Sequence, residues 1–249
     1  MPRTVALLSL GGAPGVTVTA MALAATWPEE PGALLVEADA SGGDIGTWHR
    51  MFASPGLTDL AAAVRHDQRP DGAGEGPLEH TQVLEGGLPV CPAPASADRA
   101  DGAVRLLAQN AASLTAASGH VTVLDLGRLT PRSATAHLAA HADAALLLVR
   151  DDLAQLRRLQ ESARYLFETL PRAWTVIAGG SGSTAEIAAT VGLRVWGRMP
   201  TDPRSAAFLR GEAGLRRPER RPLLRAAASL SRALVREAAT PPVRMEVPR

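Results

Sequence analysis

Two carboxylates and a glycine-rich segment stand at the ends of short apolar runs. Asp39 follows Ala33-Leu34-Leu35-Val36-Glu37-Ala38, Asp125 closes Val121-Thr122-Val123-Leu124, and Ser9-Leu10-Gly11-Gly12-Ala13-Pro14-Gly15-Val16-Thr17 follows a third run. A glycine loop that leads into a helix can turn its backbone N–H groups toward phosphate oxygens. Carboxylates beside such a loop can orient water or hold a hydrated cation. In the standard phosphate-binding loop a lysine reaches the β- and γ-phosphates, and the following Ser or Thr holds Mg²⁺. Gly12, Gly15 and Thr17 fit that scheme, whereas Val16 stands at the lysine's place. A plain strand-to-helix turn also needs glycine, so the loop alone leaves both readings open.

All 26 basic residues are arginine, so any chemistry that needs a lysine is excluded. Arg128 and Arg150 follow strand-like runs and have two readings, a phosphate contact or a surface ion pair with Asp151, Asp152 or Glu37. His137 and His141 have the i,i+4 spacing of a metal site, with Asp143 nearby. Without a further ligand cluster, a solvated helix face is the preferred reading. The single cysteine, Cys91, excludes an internal disulfide and reads as an inert core thiol.

The elements that must position these groups alternate along the chain. Strands are predicted at residues 4–10, 33–36, 88–92, 121–125, 144–149, 175–178 and 195–199, and helices at 17–26, 57–65, 103–117, 153–170 and 223–238. Most strands are continuous apolar runs, which predicts a mostly parallel sheet covered by helices on both faces. Ligands of such sheets bind at the carboxyl ends of the strands, where residues 11–17, Asp39, Asp125 and residues 150–152 all fall. With 249 residues, 46% of them hydrophobic, one domain over 1–240 with a tail at 241–249 is expected. The low-complexity stretch near 68–77 reads as a flexible loop.

A formal charge of +1 gives no global reason to expect nucleic acid, and specific DNA binding is not expected. Residues 4–28 carry no charge, but the Gly-Pro loop interrupts them, so neither a membrane span nor a signal peptide is expected. The default compartment is the cytoplasm.

Taken in order, these segments resemble the ParA/MinD group of deviant P-loop ATPases, including its TadZ/CpaE branch, over roughly residues 4–214. The family loop Ser-Gly-Lys-Gly-Gly-Val-Gly-Lys-Thr maps without gaps onto residues 9–17. Glu37-Ala38-Asp39 matches the Asp-x-Asp pair, and residues 121–125 resemble the Walker B strand. Ala142-Asp143-Ala144 and the strand after it resemble the family's Ala-Asp strand. Gly197-Arg198-Met199-Pro200-Thr201-Asp202 resembles its Gly-x-Ile-Pro-x-Asp block. The resemblance implies a three-layer P-loop fold, a homodimer, and ATP with Mg²⁺ as cofactors. Gly11, Gly12, Gly15, Thr17 and Asp125 would bind nucleotide. Thr17 and Asp125 would hold the Mg²⁺, and Asp39 would orient the attacking water; Asp39 and Asp125 read equally well as cap or turn residues retained in a decayed site.

The departures remove charge. Gly11 and Val16 replace the two family lysines, Ala13 replaces a glycine, and Pro14 lacks an N–H. Phosphoryl transfer relies on positive charge at the phosphates. The expectation is a positioning or adaptor protein with a degenerate nucleotide site, serving either a secretion or pilus assembly that includes its own ATPase or a cell-organisation system. The alternative is a slow or partner-activated ATPase that acts as a switch on a membrane or DNA surface.

The last helix carries Leu223, Leu224, Ala227, Leu230, Leu234 and Val235 on one side, with Arg216, Arg217, Arg220, Arg221, Arg225, Arg232 and Arg236 on its approach and other side. MinD proteins end in a membrane-binding helix, so peripheral association with the inner face of the membrane is one reading. Packing on the fold, with solvated arginines, is the preferred one.

Overall fold

The computed structural model describes residues 2–12, 14–66, 76–115 and 119–238. Nearly all of the stretch expected to be a flexible loop, and the tail at 241–249, lie outside them. The strands are β1 (Thr4–Ser9), β2 (Ala33–Glu37), β3 (Gln82–Val83), β4 (Pro89–Cys91), β5 (Val121–Arg128), β6 (Ala144–Arg150), β7 (Ala173–Ala178) and β8 (Val195–Met199). They form one sheet in the order β3-β4-β2-β5-β1-β6-β7-β8. Every pairing is parallel except that of the short edge strand β3 with β4. Buried on both faces, β1 has no exposed residue, which is why it reads as an unbroken apolar run.

Two helical layers cover the sheet. One face packs on α1 (Val16–Ala25) and α9 (Pro222–Ala238), through Val5, Leu7, Leu35, Val123 and Leu146. Residues of the opposite phase, Ala6, Leu8, Leu34, Leu124 and Leu147, pack under α3 (Leu57–His66), α4 (Ala97–Gln109), α5 (Ala134–His141) and α6 (Leu153–Thr169). Helix α1 lies between the sheet and α9, so its apolar residues occupy every side: Ala20, Met21, Ala22 and Leu23 are all buried.

Three further helices, α2 (Ile45–Trp48), α7 (Thr184–Val191) and α8 (Pro203–Leu209), complete the order. The helix expected at 103–117 begins earlier and stops at Gln109, because Asn110 leaves helical geometry and a separate 3-10 turn follows at Ala111–Leu114. β5 runs three residues beyond the expected end, to Arg128.

The preferred reading of α9 agrees with its packing. Leu223, Leu224, Ala227, Leu230 and Leu234 are buried within the apolar layer it shares with α1. In this fold that stripe is not presented to a membrane. Arg221 does not belong to a solvated face either, since its guanidinium pairs with the Asp202 carboxylate at 2.5 Å. No helix among the described residues is long and apolar enough to cross a membrane.

Candidate functional site

The loop after β1 bends through three glycines in the left-handed region, Gly11 (φ +136), Gly12 (φ +76) and Gly15 (φ +87), and Gly15 hands the chain to α1. The ends of two α6 side chains also crowd Gly11 and Gly12, and they would have to move aside for a larger residue. A Cβ on Gly11 would meet Arg158 Nη1 at 2.5 Å, and one on Gly12 would meet Gln155 Nε2 at 2.6 Å. Val16, at the place of a phosphate-binding lysine, is 7% exposed and packs in the apolar layer under α1.

Below the loop, β2 and β5 bring Glu37 and Asp125 into register as neighbours, both buried. Asp125 Oδ1 accepts the Gly127 N–H at 3.1 Å, while Oδ2 is buried with no hydrogen bond of good geometry. Burial raises the Asp125 pKa to about 7, against the pull of the nearby Thr17 hydroxyl. An unpartnered buried carboxylate oxygen beside a threonine hydroxyl is a donor set that fits a hard divalent cation. Thr17 and Asp125 would hold Mg²⁺ there, and bound Mg²⁺ would supply charge neutralisation at phosphate oxygens.

Glu37 does something else. Its Oε1 accepts the Asp44 and Ile45 N–H groups at 2.7 and 3.0 Å, and its Oε2 accepts that of Ala93 at 2.9 Å. Burial raises its pKa despite these donors. The side chain is thus a bracket between β2, the start of α2 and the segment after β4, not a ligand carboxylate. Asp39 is half-buried, accepts the Ser41 N–H at 2.8 Å, and lies so close over Gly127 that no Cβ fits there.

A cleft of about 420 Å³ opens beside the loop, between Gly15, Val18 and Thr19 of the α1 end and the segments after β6, β7 and β8. Met199, Pro200 and Ala178 line its apolar side, and Arg150 and Arg210 reach its rim. That size and mixture suit a nucleoside. Arg150 Nη1 donates to the Gly12 carbonyl at 3.4 Å, and its contact with Asp152 is a loose 3.9 Å. Asp151 pairs instead with Arg198 at 2.8 Å, and the Gly182 N–H at 3.0 Å is the largest cause of its lowered pKa. Arg198 also donates to the Gly179 and Gly182 carbonyls, closing the loop after β7.

The structure therefore brings Gly11, Gly12, Gly15, Thr17, Asp39 and Asp125 to one end of the sheet. Arg158, Gln155 and Arg198 were not anticipated as part of this end. Arg158 lies 148 residues from the carbonyl it contacts, and its local sequence reads as an ordinary amphipathic helix.

Other candidates lie elsewhere. His141 Nδ1 contacts the His137 carbonyl at 2.9 Å, and the two rings are 4.2 Å apart. Among the described residues no three His, Cys, Asp or Glu side chains group to hold a metal. Cys91 is fully buried, and burial pushes its thiol pKa up, so it stays protonated.

No family model matches this sequence, and no curated protein is similar to it at the sequence level. Solved structures are similar in fold. A ParA family ATPase from Chlorobium tepidum is 18% identical, with 92% of this chain and 98% of that one covered at a TM-score of 0.71. The septum site-determining protein MinD complexed with Mg-ADP, from Pyrococcus horikoshii, is 17% identical over 94% and 98% at 0.64. The MinC:MinD cell division complex of Aquifex aeolicus is matched at 17% identity over 97% and 98%, at 0.59. The chain has the three-layer α/β fold of these P-loop ATPases.

Proposed function

We propose that this chain is a ParA/MinD-like positioning or adaptor protein, one unit over residues 1–240, whose nucleotide site holds Mg-nucleotide weakly and does not turn it over efficiently. The observation that carries the proposal is Val16: the position that would place a lysine on the phosphates is an apolar residue packed in the core. Without that charge the developing negative charge of phosphoryl transfer has no partner in the loop.

Gly12, Gly15, Thr17 and Asp125 supply backbone donors, a hydroxyl and a carboxylate for Mg-nucleotide, and the cleft beside them accepts the nucleoside. The ADP complex of a protein with the same fold supports this placement. The MinC:MinD complex, a structure of similar fold, supports a protein partner. The order of motifs that resembles the ParA/MinD group and its TadZ/CpaE branch suggests a secretion or pilus assembly and its ATPase as that partner. The adaptor acts through its surface, as a homodimer.

Light scattering on the purified protein tests this. The adaptor is a dimer without nucleotide, and Asp39→Ala leaves that dimer unchanged. A monomer that dimerises only with Mg-ATP, and fails to do so as Asp39→Ala, would instead establish a nucleotide switch. That second reading, a slow ATPase with arginine in place of lysine, is favoured by the contact of Arg150 with the Gly12 carbonyl.

A further inference from the structure

Positive charge reaches the loop from outside it. Arg158 of α6 donates from Nη1 to the Leu10 carbonyl at 3.2 Å, and Arg128, at the end of β5, extends toward the same turn. Both reach the space that a Gly11 side chain would enter: Arg158 Nη1 stands 2.5 Å, and Arg128 Nε and Cζ 3.6 Å, from where its Cβ would be. We propose that Arg128 and Arg158 together form a phosphate-binding pair that takes the terminal phosphate group of a bound nucleotide, the charge that the loop itself lacks.

The pairing pattern along α6 carries the proposal. Its neighbouring arginines are neutralised within the helix, Arg157 by Glu161 at 2.5 Å and Arg164 by Glu168 at 2.9 Å. Among the described residues neither Arg158 nor Arg128 has a carboxylate within ion-pair distance. Arg158 spends one of its five N–H donors on Leu10, and the others remain for a ligand. Two guanidiniums beside each other repel, and a phosphate placed against them relieves that repulsion through forked, charge-assisted hydrogen bonds.

A cavity of about 630 Å³ opens between them, walled by Leu10, Asp39, Ser133 and Tyr165. Two carboxylates also face it: Asp101 is paired with Arg105 at 2.7 Å, whereas Asp39 accepts the Ser41 N–H and keeps its charge, which the two guanidiniums must outweigh for a phosphate to bind. The buried Tyr165 hydroxyl has no hydrogen-bond partner.

The assignment to a nucleotide's phosphate rests on the proposed nucleotide site, so the test separates the two. Mg-ADP, Mg-ATP and inorganic tripolyphosphate are titrated by calorimetry into the wild type and into Arg158→Ala, Arg128→Ala and Arg157→Ala. The wild type binds Mg-ATP at least about tenfold more tightly than Mg-ADP, the scale of one charge-assisted contact. Arg158→Ala and Arg128→Ala abolish that preference with Mg-ADP affinity unchanged, and Arg157→Ala behaves as wild type. A preference that survives both substitutions overturns the proposal. If the wild type binds neither nucleotide, the nucleotide reading fails. Tripolyphosphate binding lost in Arg158→Ala then keeps the anion site, and absence of such binding removes it too.

Discussion

Asp125 has no exposed surface and one oxygen without a partner, and its pKa near 7 follows from burial. The sign of its effect on stability is fixed by that shift. Between about pH 4 and pH 7 the unfolded chain loses this proton while the fold retains it, so stability falls as pH rises through that window. Glu37, raised for the same reason, acts in the same direction. Asp125→Asn is therefore expected to raise stability at pH 8 by roughly 1–3 kcal/mol and to flatten its pH dependence, as read by denaturant unfolding at several pH values. Val16→Lys makes the converse point. With no nucleotide, a lysine in that apolar position lowers stability by about 1–3 kcal/mol, measured the same way. That Thr17, Asp39 and Asp125 would lie together at one end of the sheet was legible, because strand ends and a glycine loop place them. The role of Glu37 was not, since a carboxylate in an Asp-x-Asp-like position looks identical whether it faces a ligand or brackets three backbone N–H groups.

At the scale of elements, small polar anchors hold the segments around the site. Glu37→Ala would leave the Asp44, Ile45 and Ala93 N–H groups without their acceptor. A loss of about 3 kcal/mol is expected in unfolding experiments, with Glu37→Gln retaining part of it. Asp202 caps α8 and accepts from Arg221 and Ser205. Burial works to raise its pKa, yet these donors hold it down to about 2. Arg221→Ala thus unpairs a buried carboxylate and lowers the melting temperature, whereas Arg225→Ala, on an exposed position of α9, leaves it near that of wild type. Helices α7 and α8 did carry readable caps, Ser183 with Glu186 three residues on, and Asp202 before Pro203. Their short apolar faces gave no periodic signal long enough to separate them from loops. The boundary of α4 was misplaced because alanine continues a helical pattern past Asn110, where the backbone leaves it.

For the whole molecule, the parallel sheet and its two helical layers were readable because six of the strands are apolar runs with helices between them. The short antiparallel edge strand β3, two residues long, was not. The convergence of α6 on the first loop also escaped, because it joins residues far apart in sequence through side chains of ordinary surface type. The fold supplies a glycine loop, a hydroxyl and a buried carboxylate at the ends of its central strands, and it packs Val16, where the resemblance would place a lysine, in the core. Release of phosphate from Mg-ATP by the wild type, Asp39→Ala and Asp125→Ala is the measurement that separates a retained site from a working one. The expected result is one common background rate for all three proteins. Turnover by the wild type that falls in either variant would contradict it and make this chain an ATPase.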